Sequence, residues 1–206
     1  MDPNELTMMK RELVWNCWVA QGGWKRVRRF RRLRRIPGVL EGSTSRSNVE
    51  PIIGLSVEAW SDVHAILGAT ACISRTLWPA SRAGGPARAR AADLRSVLHL
   101  PPLPELETRG VRNAYEHFEN AGPKWFSWAR GHFPGRPLMG WQLGDGSPLG
   151  SGKVLPEECF RYLDVKTWTL RVGQEKPVDL NQLMVAVELL ARAINVDHRF
   201  EIGQPP

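Results

Sequence analysis

Cysteine is scarce in this 206-residue chain, which holds only Cys17, Cys72 and Cys159, widely spaced and with no CxxC pair. An odd, sparse set excludes a disulfide scaffold and a cysteine-held zinc, and it fits a reducing cytoplasm. The five histidines (His64, His99, His117, His132, His198) show no i, i+4 pair and no cysteine at ligand spacing, so no metal site is expected. A GxSxG elbow for a serine hydrolase is absent. No apolar run approaches the roughly 18 residues of a transmembrane helix. Leu13 to Ala20 is apolar apart from Asn16, but the strongest positive cluster follows it, the wrong order for a secretory signal. Asp2, Glu5 and Glu12 argue against a mitochondrial leader. A cytoplasmic protein without a transmembrane segment is the expectation. One segment, Gly146 to Lys153, imitates a phosphate loop. It has one residue too many between Gly146 and Gly152, and Val154 stands where a Ser or Thr would hold magnesium. No cofactor is expected.

Hydrophobic residues make up 42% and charged residues 24%, the proportions of an ordinary soluble fold. Net charge is +7, a value that usually points to an anionic partner. It is unevenly distributed. Residues 1–50 carry eleven basic side chains against five acidic ones, and residues 51–206 carry 17 against 16. The basicity belongs to the first fifty residues.

Between Trp24 and Ile36 apolar residues recur every third position (Trp24, Val27, Phe30, Leu33, Ile36), each separated by two basic ones. That period winds around a helix instead of marking one face. Three readings fit: an arm that neutralises phosphates and stacks Trp24 and Phe30 on bases, a membrane-surface helix, or a solvated, partly disordered extension. A start site assigned too far upstream is a further possibility. Gly42 to Asn48 reads as a linker, which sets a boundary near residue 50 between a basic extension (1–50) and a helical domain (51–206).

From Ser56, a candidate N-cap, Trp60, Val63, Ile66, Leu67, Ile73 and Leu77 recur at helical steps until Pro79. A second helix is expected from Arg88 to Leu98, with Ala91, Leu94, Val97 and Leu98 inward. A third is expected from Glu105 to Asn120, with Leu106, Val111, Ala114, Tyr115 and Phe118 inward. Residues 121–155 hold eight glycines and four prolines and predict a partly ordered excursion, with a helical turn or two at Lys124 to Ala129. Phe160 to Asp164 and Trp168 to Val172 predict a β-hairpin. Asp179 caps a last helix from Leu180 to Ile194. The fold class is mainly α, with a small hairpin before the last helix.

In the third helix Arg112 and His117 stand five positions apart, and Asn113 directly follows the arginine. This resembles the R-x4–6-H signature of the HEPN superfamily (higher eukaryotes and prokaryotes nucleotide-binding). Ile73-Ser74-Arg75 with Leu77-Trp78-Pro79, Arg112-Asn113 with Glu116-His117-Phe118, Arg161 to Asp164 and Val178 to Leu180 also resemble strings of an uncharacterised bacterial branch of it. The resemblance covers about residues 55–195. It implies a four-helix up-and-down bundle, a homodimer, RNA as partner and, in toxin–antitoxin members, an antitoxin protein. For active members it implies a metal-independent endoribonuclease that cleaves through 2′-hydroxyl attack. His117 would be the base and Arg112 the phosphorane-stabilising cation, with Asn113 and Glu116 in support. Where the branch continues Asp-Glu-Arg, this chain has Glu119-Asn120-Ala121 and then Gly122-Pro123, where a helix would fray. Arg192 and His198 satisfy the same spacing near the end of the last helix. Arg112 and Glu116 are also an i, i+4 pair of opposite charge, so a noncatalytic structural or protein-interaction domain with the same fold stays open.

Overall fold

The computed structural model describes residues 2–30, 46–108, 110–133, 138–144 and 155–195. In chain order the elements are α1 (Pro3–Val27), α2 (Arg46–Leu77), α3 (Gly85–Val97), α4 (Pro104–Glu107), α5 (Gly110–Glu116) and α6 (Phe118–His132), then β1 (Leu138–Gly144), β2 (Cys159–Asp164), β3 (Thr169–Val172), β4 (Val178–Asp179) and α7 (Leu180–Asn195). The described chain is mainly helical, with one small four-stranded sheet of order β1-β2-β3-β4.

The N-terminal region differs from the expected extension. Asp2 caps α1 by accepting from the Glu5 N–H at 3.2 Å, and Pro3 starts the helix with its φ already set. Leu13, Cys17, Ala20 and Val27 are fully buried in the same cluster as the residues of α2 and α7. α1 lies against α2 so closely at Gly23 that a Cβ there would stand 2.9 Å from the Asp62 carbonyl oxygen. One turn on, the Arg26 Nε donates to Asp62 Oδ1 at 2.7 Å, and Glu5 holds Arg90 of α3 at 3.0 Å. Trp24 and Phe30, offered above for base stacking, pack against the core, and Trp24 meets Trp168 edge-on at 5.2 Å. Residues 31–45, which hold the rest of the arginine run, lie outside the described residues.

The division expected near residue 50 falls inside α2, which begins at Arg46, not Ser56. Its expected apolar stripe, from Trp60 to Leu77, is buried throughout, and the helix ends before Pro79. Arg95 of α3 donates to the Leu77 carbonyl, satisfying one orphan acceptor at that end. In α3, Ala91 and Leu94 are buried as expected, whereas Val97 faces solvent.

The single helix expected from Glu105 to Asn120 is instead three short pieces. Thr108 leaves helical geometry (φ −68°, ψ 132°) and ends α4, and His117 (φ −108°, ψ 47°) separates α5 from α6. Gly122-Pro123, expected to fray a helix, lies within α6, which runs on to His132 and includes the Lys124–Ala129 turns. Pro123 withholds one hydrogen bond, while burial of Trp125 and Ala129 holds the helix to the core.

The hairpin forms from β2 and β3, with Arg161 opposite Val172 and Asp164 opposite Thr169. Trp168 sits in its turn rather than in the strand, at φ +61°, held there by burial against Trp24. β1, drawn from the glycine-rich stretch, adds a parallel neighbour to β2 that the sequence did not announce. Residues 145–154, including the false phosphate loop, lie outside the described residues. Asp179 caps α7 as expected, accepting from Asn181 N–H at 2.7 Å and Gln182 N–H at 3.2 Å. The core is one cluster, from Leu13 through Ile66, Leu106 and Phe160 to Ile194. Among the described residues no helix is long and apolar enough to cross a membrane.

Candidate functional site

Pro79 stops α2, and the chain turns with the Ala83 N–H donating to the Ala80 carbonyl at 2.8 Å. This loop, the last turns of α2 and the outer side of α5 wall a cleft of about 680 Å³. Arg75, Arg82, Arg112, Asn113, Glu116 and His117 line it. All four residues singled out from the sequence therefore share one cavity, although they meet it in different ways.

Arg112 lies in its lining and is only 3% exposed. The guanidinium donates to the Leu106 carbonyl at 2.8 Å, to the Thr108 carbonyl and to Ser74 Oγ at 3.2 Å, with the Glu105 carbonyl at 3.5 Å. These are the acceptors left over where α4 ends, so Arg112 caps that helix and pins it to α2. A cation so engaged holds the wall of the cleft. It does not reach out of it.

His117 is the opposite case, with its side chain 64% exposed. Its backbone N–H still belongs to α5, donating to the Asn113 carbonyl at 2.8 Å, while its own carbonyl begins α6 by accepting from Asn120 and Ala121 N–H. The imidazole Nδ1 stands 3.4 Å from Glu119 Oε1, a carboxylate in the first turn of α6, where the helix dipole favours it. Because the His117 backbone N–H stays in α5, the angle of about 140° that a helix sets between positions 112 and 117 separates the buried Arg112 from the exposed His117. Glu119-Asn120-Ala121, where the resembling branch has Asp-Glu-Arg, lies in the first turn of α6.

Glu116 pairs with Arg75 of α2 at 3.0 Å, and Arg75 also reaches Cys72 Sγ at 3.4 Å. Burial pulls the Arg75 guanidinium down, but the hydrogen bond to Cys72 and the charge of Glu116 outweigh it, and its pKa is raised. The Ile73-Ser74-Arg75 and Arg112-to-His117 strings are thus joined twice in space, through Ser74–Arg112 and Arg75–Glu116. Arg75 stands in one of the resembling strings with no role implied, and no motif singles out Arg82. Only the fold brings them to this cavity. Positive side chains outnumber negative ones in its lining.

The second spacing match leads elsewhere: Arg192 pairs with Glu188 on α7, and His198 lies outside the described residues. His64 is exposed, with its ring 5.4 Å from that of Tyr115. Among the described residues no group of three or more His, Cys, Asp or Glu side chains is placed to hold a metal ion. No protein-family model, curated protein or solved structure matches the chain.

Proposed function

We propose that this chain is an RNA-directed protein of the HEPN-like kind, its helices α2 to α7 standing for the family's bundle, and that it cleaves RNA in the cleft between α2 and α5. The observation that carries this is the exposure of His117 on the same cavity as Arg75 and Arg82. The neutral imidazole takes the proton of a ribose 2′-hydroxyl. The 2′-oxygen then bonds to the adjacent phosphorus, the bond from phosphorus to the 5′-oxygen breaks, that oxygen takes a proton from water, and the hydroxide left takes the proton held by the imidazolium. The products are a 2′,3′-cyclic phosphate and a 5′-hydroxyl, and no step calls on a metal. Arg75 and Arg82 stabilise the charge that develops on the phosphorane oxygens. Asn113 orients the phosphate and Glu116 holds Arg75. Arg112, assigned the phosphate role by the resemblance, becomes a positioning residue that keeps the cleft wall in place. A second copy of the chain or an antitoxin-type protein covering the cleft belongs to the same proposal.

The burial of Arg112 on backbone carbonyls favours one competing reading, a noncatalytic structural or protein-interaction domain that keeps the fold. Incubation of the purified chain with end-labelled RNA in EDTA separates the two. Cleavage to cyclic-phosphate ends is expected, reduced by about a hundredfold or more in His117→Ala and weakened in apparent RNA affinity in Arg82→Ala. Absence of cleavage, or cleavage unchanged in His117→Ala, overturns the catalytic assignment. RNA neither cut nor retained on a filter leaves the structural reading.

A further inference from the structure

The outer side of α1 is not used by the core or by the cleft. Counted at 100° per residue, Met8, Trp15 and Trp18 fall within about 80° of one another, on the side of the helix opposite Leu13, Cys17 and Ala20. All three are exposed, Met8 and Trp15 at 61% and Trp18 at 45%. Tryptophan buries more apolar surface than almost any other side chain, so two of them left in water on one helix face mark a contact surface. The stripe also carries cations: Arg11 lies between Met8 and Trp15, Lys25 follows Trp18 after two turns, and Arg29 stands just beyond the end of α1. No carboxylate occurs at these alternating four- and three-residue steps, and Glu12 borders the stripe about 40° from Met8.

From these observations we infer that α1 docks on the surface of an anionic phospholipid bilayer. Trp indoles settle at the level of lipid headgroups, Met8 reaches the acyl boundary, and Lys25 and Arg29 meet lipid phosphates. An apolar stripe and a basic flank are the two signals that peripheral attachment requires together. The opposite face of α1 is locked into the core, so the helix lies flat along the membrane. A second copy meeting this stripe through the same face would set its cations against one another, with Glu12 only at the border. A bilayer uses the apolar and the basic signal together, whereas a strand of nucleic acid would leave Met8 without a role. This surface is independent of the cleft and of the function proposed for it.

The test is co-sedimentation of the full chain with vesicles of phosphatidylcholine alone or mixed with phosphatidylserine. Binding is expected only to the mixed vesicles, with a blue shift of tryptophan fluorescence and release at high salt. Trp15→Ser combined with Trp18→Ser should weaken binding about tenfold or more. Lys25→Ala with Arg29→Ala should weaken it by a similar factor. Both double variants alter exposed side chains, and unchanged thermal melting confirms that they fold. Absence of binding by the wild-type chain overturns the inference. So does vesicle binding indifferent to both variants. A concentration-dependent dimer, or RNA binding, that Trp15→Ser/Trp18→Ser abolishes while vesicles stay unbound assigns the face to that other partner and overturns it as well.

Discussion

Arg112 and His117 show how one motif divides its labour. The two residues are five positions apart and line one cavity, yet one is bonded to the C-terminal end of α4 and the other stands in solvent. Their substitutions should therefore separate stability from activity. Arg112→Ala removes a buried, charge-assisted donor and leaves carbonyls at the end of α4 without it, a loss of about 2–4 kcal/mol. His117→Ala removes an exposed side chain that makes no capping hydrogen bond, and stability should stay within about 0.5 kcal/mol. Urea denaturation of the two variants checks this. Equal destabilisation would mean that His117 is as structural as Arg112, and would weaken its assignment as a base.

At the scale of elements, helix ends decide where the functional side chains point. Thr108 and His117 cut what periodicity presents as one helix into three, and each cut follows from backbone geometry that side-chain spacing does not report. The cap of α7 works in the other direction, because an aspartate just before an apolar run is a local signal. Asp179→Ala should cost about 1 kcal/mol, through loss of the acceptor for Asn181 and Gln182 N–H. Its Asn variant should recover most of that loss in the same denaturation experiment. An Ala variant as stable as the native chain would show that packing of Leu183, Val187 and Leu190 alone sets the start of the helix.

At the scale of the whole molecule, burial sets the response to alkali. Burial pushes the Cys17 thiol up to about 12 from an ordinary value of 9.0. Cys159 is pushed to about 12 by burial first, then by Glu158 and Glu157. Burial likewise raises the Tyr115 hydroxyl from 10.0 to about 12, against the pull of Arg161. Each group keeps its proton longer in the folded chain than in the unfolded one. Below pH 9 both states are protonated and these groups contribute in full, and as pH climbs the unfolded state releases its protons first. Stability should therefore fall as pH rises above 9 and go on falling toward 12. Urea midpoints measured stepwise in alkali check the direction, and Tyr115→Phe should blunt the fall. A midpoint that holds steady or rises over this range would contradict the burial of these groups.

What the sequence by itself determined is local. The stripe of α2 from Trp60 to Leu77, the β2–β3 hairpin and the Asp179 cap were all legible, because period, turn residues and capping chemistry act over a few neighbours. Arg112, Asn113, Glu116 and His117 were legible as a group through resemblance, but their separate states were not. Tertiary structure alone decided that Arg112 is spent on the carbonyls of α4 and that Arg75 and Arg82 face the cavity. It alone gave β1 a parallel neighbour and made α1, whose Arg-rich continuation reads like a tail, a core helix. The physical reason is common to these cases. Burial and hydrogen-bond satisfaction depend on which distant segments arrive at the same place, and neither charge count nor spacing carries that information.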